Sequence, residues 1–283
     1  MRKDIEIYQY GDFSKAPDPV KTEALIFEQI SSRVALTNYV YIAFPLAWSI
    51  NHHGIPTTQS VIDEICNKHK NQKLFFVCQH IRVSDLDFHG HLVFTPHATL
   101  LDTYQAIPHY AANYAKDGGK PFETRDYLMS FQGAFLTHST RSKLKDVIGA
   151  STDCLVTDTG TWNFEKSDTV RIASEELYKD VLGNTKIALC PRGTGPSTIR
   201  MWEAMASGCV PLIISDTLKM PMSRMIDWTE MAIFVPEEEI THIKHYLSAY
   251  NDEDLKRMAV LGHETYNMHF SNEKLYKTVV QAI

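Results

Sequence analysis

Short apolar runs alternate along the chain with longer stretches in which apolar and polar positions follow a helical spacing. This alternation is typical of parallel α/β units, in which a buried strand is followed by an amphipathic helix. In the first half the pattern predicts strands at 5–9, 39–45, 74–79 and 92–95 and helices at 20–34 and about 58–69. In the second half it predicts strands at 127–132, 154–157, 187–190, 210–214 and 232–235, helices at 141–148, 174–182 and 196–207, and further helices after residue 238.

The clearest break in the pattern is the Asp-Gly-Gly-Lys-Pro segment at 117–121, since glycine and proline interrupt regular structure. We therefore expect a lobe boundary just after it. The predicted organisation is an N-terminal lobe at 1–124, a C-terminal lobe at 125–270, and a final helix at 271–283 that packs back on the first lobe.

Composition excludes several classes of protein. Hydrophobic residues make up 44% and charged residues 22%, as in soluble globular proteins, and the net charge of −6 provides no broad basic surface for nucleic acid. The most apolar stretch, residues 39–50, is shorter than the ~20 residues that a membrane span needs, and the N-terminus lacks a signal-peptide core. We expect a soluble or cytoplasmic protein without an integral membrane segment. The five cysteines form no CxxC pair, which favours core thiols in a reducing compartment.

The most informative segment is 187–203, with the sequence IALCPRGTGPSTIRMWE. It predicts a buried strand, a glycine-containing loop and a helix. Gly193 and Gly195 are expected to adopt backbone angles closed to other residues, and Pro196 to occupy the first helical position. The first-turn amides would then form an anion site, to which Arg192 adds a permanent charge suited to a diphosphate.

The helix that follows is predicted to have a polar face and a packing face. Glu203 would lie roughly 10 Å along the axis from Pro196, a separation that suits a diphosphate at the tip and a ribose beside the second turn. The alternative is an ordinary strand, turn and helix with a surface arginine and glutamate. The polar face contains Arg200, Glu203 and Ser207, and the packing face contains Ile199, Trp202 and Ala206.

The run CPRGTGPSTIRMWEAMASGCVPLIISD at 190–216 resembles the signature of exostosin-like glycosyltransferases. Four further segments are similar to that family. Two lie upstream, RDYLMSFQGA at 125–134 and RSKL at 141–144, and two lie downstream, IDW at 226–228 and AIFVPE at 232–237. The likeness covers about 125–265 well and the first lobe only faintly, at 41–45 and 74–80.

This resemblance implies a GT-B fold, with two Rossmann-like lobes and a cleft between them. It also implies a UDP-sugar donor in the second lobe, a glycan acceptor in the first, inversion at the anomeric carbon, and no cofactor or required metal. Short soluble members from large algal viruses look similar and some use xylose, so UDP-xylose is the first donor to consider. The donor site carried over by position comprises Arg141, Arg192, Gly193, Thr194, Gly195, Ser197, Arg200 and Glu203, with Glu203 on the ribose.

An inverting transfer needs a general base that takes the acceptor proton. We expect it after the strand at 74–79, because loops at the carboxyl ends of parallel strands border the ligand crevice. Asp87 and then Asp85 are the first candidates, and His80 is the third. Phe88 and His89 would partly desolvate Asp87 and raise its pKa.

Two alternative functions stay open. Asp85-Leu86-Asp87 is a DxD pattern, which in GT-A transferases binds the metal on the donor diphosphate, and it would also suit a phosphoesterase. The second alternative is a non-catalytic nucleotide- or glycan-binding module. Several histidines suggest a zinc or iron site, whereas His52 and His53 are interpreted as an exposed helix end. The histidines concerned are His80, His89, His91, His97 and His109.

Overall fold

The computed structural model describes residues 3–15, 21–33, 36–148, 151–160 and 168–283. The chain divides into two compact units. Unit 1 contains 1–110, 217–222 and 272–283, and unit 2 contains 111–216 and 223–271.

Unit 1 is built on a five-stranded parallel sheet with the order β2-β4-β5-β6-β7. Two further strands, β1 and β3, form a separate antiparallel pair. Buried aromatic side chains fill the sheet faces; Tyr41 stacks on Phe75 with ring centroids 4.7 Å apart. The strands are β1 (Lys3–Asp4), β2 (Glu6–Gln9), β3 (Leu36–Thr37), β4 (Tyr39–Ala43), β5 (Lys73–Val77), β6 (Leu92–Thr95) and β7 (Gln105–Ala106).

The helices of unit 1 include one that begins directly at the carboxyl end of a strand. This helix, α2, follows β4 and is kinked at Gly54, whose φ of 77° interrupts the helical backbone. The last helix, α8, returns to unit 1, where Leu275 and Val279 are fully buried in the core. The described helices are α1 (Thr22–Ser31), α2 (Leu46–Lys68) and α8 (Tyr276–Val280).

Unit 2 contains a second five-stranded parallel sheet, with the order β12-β11-β10-β8-β9. The chain proceeds from β8 to β9 on one side and then returns to place β10 on the other side of β8. The topological switch point therefore lies between β8 and β10, where α/β sheets commonly bind ligands at their carboxyl ends. The strands are β8 (Tyr127–Gly133), β9 (Cys154–Asp158), β10 (Thr185–Pro191), β11 (Val210–Ile214) and β12 (Ile233–Phe234).

Helices connect the strands of unit 2 and follow the last one. The capping box of α7 is formed by Asn251 and Asp254, and the π-helix Tyr266–Phe270 continues from its end. The helices are α3 (Ser139–Ile148), α4 (Asp168–Gly183), α5 (Ile199–Ala206), α6 (Ile243–Leu247) and α7 (Asp252–Thr265).

Arg125 is a buried structural arginine that ties together the beginning of unit 2. Its guanidinium donates to the carbonyl oxygens of Gly118 at 2.6 Å, Thr185 at 2.7 Å and Gly208 at 2.7 Å. Because these bonds join the segment before β8 to β10 and to the end of α5, the division between the units falls at residue 110 and not at the predicted 124.

The predicted α/β class, of GT-B type with two lobes, is confirmed, since each unit contains its own parallel sheet. The predicted helix at 20–34 is found as α1, and residues 20 and 34 lie outside the described residues. Within the part of the chain that the structure describes, no helix combines the length and apolar character needed to cross a membrane. The five cysteines are free, and four of them are buried.

Candidate active site

The predicted donor residues lie at the carboxyl edge of the unit 2 sheet, on both sides of its switch point. Arg192 follows β10, and its amide donates to the carbonyl of Ile214 on β11 at 2.9 Å. Arg141 lies in the first turn of α3, after β8. Its Nε donates to the Arg192 carbonyl at 2.9 Å, so the two loops are joined across the switch point.

Gly193 is needed for space and not for an unusual backbone angle. Neither Gly193 nor Gly195 has a positive φ, so neither uses a backbone angle that is closed to other residues. A β-carbon on Gly193 would instead lie 2.9 Å from Nη2 of Arg141, closer than side-chain carbons approach a neighbour. The glycine lets the guanidinium lie directly against the main chain.

The helix after this loop begins later than predicted. Its first residue is Ile199, with Thr198 at the N-cap, so Pro196 is not at the first helical position. Pro196 lies in the loop, where its carbonyl accepts a hydrogen bond from Oγ of Ser215 at 2.7 Å. This contact with the residue after β11 is a tertiary one, and residues 194–196 form bends before Thr198. Thr194 is exposed, and Ser197 is half-buried.

Two guanidinium groups, of half-buried Arg141 and buried Arg200, lie close to this loop. Arg141 and Arg200 both lie over the ring of Phe131, at 5.6 and 4.3 Å from its centroid. Arg200 is only 9% exposed; its Nη2 donates to the Gln132 carbonyl, and its Nε has no hydrogen-bond partner among the described residues.

These two arginines have no ionic partner in the described ranges, where neither of them forms an ion pair with a carboxylate. Burial, and then the charge of Arg200, lowers the pKa of Arg141 to about 9. Arg141 is half-buried and Arg200 is buried, and Arg200 also interacts electrostatically with the buried carboxyl of Glu203. Two guanidinium groups at this edge of the sheet have the chemistry to bind an anion.

Arg192 has a different environment from the one expected. Its Nη1 lies 3.5 Å from Oε1 of Glu237, which follows β12. Glu237 also accepts from the amide of Asp216 at 3.1 Å and lies 3.9 Å from Nε2 of His138. The guanidinium predicted to meet the diphosphate therefore has a carboxylate as its neighbour.

Glu203 lies inside unit 2 and is 5% exposed. Its Oε1 accepts from the amide of Asn113 and its Oε2 from the hydroxyl of Tyr178, both at 2.8 Å. Burial raises the pKa of this carboxyl. One helical turn further, Oγ of Ser207 accepts from the amide of Ala115 at 2.9 Å. Both side chains thus anchor the segment 111–115. The predicted contact of Glu203 with a ribose stays a prediction.

The predicted division of this helix into a polar and a packing face is wrong. Ile199 is 40% exposed, whereas Arg200, Glu203 and Ser207 are buried. Unit 2 surrounds the helix with polar partners, so its polar positions are as buried as its apolar ones.

The candidate bases lie in unit 1, and Asp87 lacks the apolar surroundings expected of it. Its side chain is 72% exposed, and Oδ1 accepts from the amide of His89 at 2.7 Å. Phe88 is buried in the core and does not shield it. Gln59, in the second segment of α2, bonds both the amide and the carbonyl of Asp87. Asp87 thus lies along the crossover from β5 to β6 and away from the carboxyl edge of the sheet.

Asp85 and His80 are also engaged. Asp85 ends a 3-10 turn at Val83–Asp85 and forms an ion pair with Nε of Arg82 at 2.7 Å. Nδ1 of His80 accepts from the Arg82 amide at 3.1 Å, so the ring proton is on Nε2, which faces Oδ1 of Asn51. Burial lowers the pKa of His80. The role of each as the base stays a prediction.

No group of three or more His, Cys, Asp and Glu side chains with the arrangement of a metal site occurs within the described ranges. His97 and His109 are in ring contact at 5.1 Å, and both are buried. Burial lowers the pKa of His97 to about 4.

Sequence reasoning missed two partners of the donor residues, Glu237 and Tyr178. Glu237 follows the short apolar run at 232–235, and a polar residue after a buried strand is the signal that could have identified it. Tyr178 lies on α4, 25 positions before Glu203, and no local pattern indicates that contact.

Known proteins resemble this chain over parts of its length. An exostosin-1 homolog from Caenorhabditis elegans is 27% identical over 156 residues, which cover 51% of this chain and 41% of that protein. A probable glucuronosyltransferase from Oryza sativa subsp. japonica is 31% identical over 97 residues, which cover 34% of this chain and 22% of that protein. The chain therefore spans less than half the length of these curated relatives.

Among solved structures, a sucrose-phosphate synthase from Thermosynechococcus elongatus aligns with 94% of this chain and 79% of its own, at 12% identity and a TM-score of 0.47. The family model of the Exostosin GT47 domain matches residues 50–250, which is most of the chain. This protein therefore belongs to the exostosin GT47 family.

Proposed function

We propose that this protein is an inverting glycosyltransferase that moves a sugar from a nucleoside diphosphate to a hydroxyl group of a glycan. The observation that carries the proposal is the pair of guanidinium groups of half-buried Arg141 and buried Arg200, neither of which forms an ion pair with a carboxylate among the described residues. They lie at the switch point of a parallel sheet, where nucleotides commonly bind. A diphosphate supplies the missing negative charge.

The same two cations suit the chemistry of transfer. As the acceptor oxygen attacks the anomeric carbon, the bond to the diphosphate breaks and negative charge grows on the leaving group. Fixed guanidinium groups stabilise that charge more in the transition state than in the bound donor. We therefore propose that no metal is required, and that Arg192 contributes once the diphosphate replaces Glu237 as its partner.

The donor is proposed to be a UDP-sugar. The main-chain amides of Gly193, Thr194, Gly195 and Ser197 would face the diphosphate and Glu203 the ribose, as the family resemblance implies. UDP-xylose is the first sugar to test. UDP-glucuronic acid is the second, because the rice relative is named a probable glucuronosyltransferase. Unit 1 is proposed to hold the glycan acceptor.

Calorimetry with UDP tests the site directly. Arg141→Gln should weaken UDP binding by roughly 10–150-fold, since a charge-assisted contact contributes about 1.5–3 kcal/mol. Lys143→Gln is the matched control, because it removes a positive charge from an exposed position on the same helix. Equal affinities for the two variants would contradict the assignment of Arg141.

A transfer assay with both donors and a panel of glycans then separates an enzyme from a binding module. Sugar transfer with release of UDP supports the proposal. Binding of UDP without transfer or donor hydrolysis would instead indicate a non-catalytic module.

A further inference from the structure

The helix that carries Arg141 begins with a histidine cap. We infer that His138 is a positioning residue of the donor site, which holds Arg141 in place by capping α3; this inference rests on the proposed function. His138 directly precedes Ser139, the first residue of α3. Its backbone is extended, with a φ of −164° and a ψ of 145°, as is typical of an N-cap residue.

The side chain of His138 accepts a hydrogen bond from the second residue of the helix. Its Nδ1 lies 3.3 Å from the amide nitrogen of Thr140 and 3.0 Å from Oγ1 of the same residue. Thr140 is only 2% exposed, so its amide has little access to water and needs an acceptor inside the protein. The imidazole thus takes the part that a serine, aspartate or asparagine side chain takes in most helix caps.

The cap is joined to Arg141 through the main chain. The carbonyl of His138 accepts from the Arg141 amide at 3.1 Å, so the cap residue binds two successive amides of the first turn. The guanidinium reaches its neighbours from this same turn. Its Nε donates to the Arg192 carbonyl at 2.9 Å, and its Nη2 would lie 2.9 Å from a β-carbon on Gly193. With so close a fit, loss of order in the first turn of α3 would also displace the guanidinium.

Hydrogen bonding also determines the state of the His138 ring. Because Nδ1 accepts from an amide, the proton of the neutral ring is on Nε2. Nε2 lies 3.9 Å from Oε2 of Glu237, the carboxylate beside Arg192. Burial, and then the charge of Arg192, lowers the pKa of His138. The ring is therefore neutral at neutral pH and keeps the lone pair that the cap requires.

A capped first turn preorganises the Arg141 guanidinium for a diphosphate. If the Thr140 amide loses its acceptor, the turn frays, and the ligand has to order it on binding. The contribution of a helix cap corresponds to about fivefold in an equilibrium constant. Loss of the cap should therefore weaken donor binding by about this factor.

Calorimetry with UDP compares His138→Ala with His138→Asn in the full chain. Alanine has no acceptor, so UDP affinity should fall about fivefold, whereas asparagine is a favoured cap residue and should keep affinity within about twofold of wild type. In the Arg141→Gln background, His138→Ala should change affinity by less than about twofold, because the residue through which it acts is absent. Hydrogen exchange of the Thr140 and Arg141 amides should be faster in His138→Ala and close to wild type in His138→Asn.

Asn251→Ala is the matched control. It removes the N-cap of α7, another helix of unit 2, at which Asn251 accepts from the amides of Glu253 and Asp254 at 2.9 Å each. None of the predicted donor residues lies on α7. This variant should lower the urea midpoint as His138→Ala does but keep UDP affinity within about twofold. An equal loss of affinity in both variants would overturn the inference, because general destabilisation would then explain the effect.

The other outcomes separate this inference from the proposed function. Wild-type affinity in His138→Ala, or an undiminished effect of this change in the Arg141→Gln background, would overturn the inference alone. Equal losses in His138→Asn and His138→Ala would assign the effect to Nε2 and Glu237, and would overturn the role of the cap. A wild-type protein that binds neither UDP nor a UDP-sugar would overturn the proposed function, while hydrogen exchange would still test the cap.

Discussion

Arg141 and Gly193 approach so closely that a β-carbon on Gly193 would lie 2.9 Å from Nη2 of Arg141. The guanidinium is held against this same stretch of main chain, since its Nε donates to the carbonyl of Arg192, the residue before Gly193. The position of the Arg141 guanidinium therefore depends on the absence of a side chain at Gly193.

Gly193→Ala should displace the guanidinium of Arg141 without disturbing the fold. The added methyl group meets the far end of a flexible side chain, which moves more easily than the backbone does. We expect UDP affinity to fall by about tenfold, close to the loss from removing one charge-assisted contact. Thr194→Ala, at the exposed neighbouring position, is the control in the same calorimetric experiment. An unchanged affinity for Gly193→Ala would show that the position of Arg141 is unimportant.

Arg192→Ala and Glu237→Gln should change diphosphate binding in opposite directions. The arginine supplies a charge-assisted contact, so its loss should weaken UDP binding by roughly 10–150-fold. The carboxylate competes with the diphosphate for the same guanidinium, so its neutralisation should strengthen binding by a few-fold. Titration of both variants with UDP at one ionic strength measures the two effects. Weaker binding by Glu237→Gln would mean that the carboxylate holds Arg192 in its productive position.

Glu203→Gln should destabilise unit 2. The carboxylate accepts hydrogen bonds from the Asn113 amide and the Tyr178 hydroxyl, one on each oxygen. The side chain of glutamine has a single acceptor oxygen, so it can accept from only one of these two donors. A buried donor without a partner costs about 1–3 kcal/mol, measurable by urea unfolding. The ribose contact has its own readout: the variant should lose more affinity for UDP than for pyrophosphate if Glu203 also binds the ribose. Equal losses would limit the residue to its structural role.

Sugar transfer should continue in the presence of EDTA. In the proposed site, Arg141 and Arg200 would provide two positive charges for the leaving diphosphate, which is the part that a divalent cation takes in other transferases. Initial rates with and without the chelator measure this. Complete inhibition that Mn²⁺ reverses would return Asp85 and Asp87 to consideration as metal ligands.

Glu23 should make the stability of the protein depend on pH. Burial raises the pKa of its carboxyl from 4.5 to about 8, although hydrogen bonds from the backbone amides of Gln79, Ala47 and Leu46 oppose the shift. Between these two values the folded state binds a proton that the unfolded state releases, so the unfolding free energy should decrease as pH rises. The slope is roughly 1.4 kcal/mol per pH unit at most. Urea unfolding at pH 5 to 8 should show this contribution in the wild type and not in Glu23→Gln; identical slopes would contradict it.

The sequence predicts the positions of strands and helices more accurately than it predicts the contacts of the site residues. The strand Val210–Ile214 is predicted to the residue because five consecutive apolar positions have no alternative except a buried strand. The start of α5 is missed because Pro196 is held outside the helix by Ser215, a contact across two strand ends. Local propensity contains no information about that contact.

Local sequence patterns also fail to predict the tertiary contacts of individual side chains. The helical spacing of Arg200, Glu203 and Ser207 is a genuine feature of the sequence, yet their partners lie up to 92 positions away, and periodicity cannot distinguish water from a buried partner.

The return of 272–283 to unit 1 has a consequence for the order of folding during synthesis. A chain of which only the first 271 residues have left the ribosome contains all of unit 2 but lacks Leu275 and Val279, two fully buried side chains of the unit 1 core. Domains made later in the chain usually finish folding later. In this protein the unit that is synthesised first is the last to be completed, and its core stays unfinished until residues 272–283 have left the ribosome.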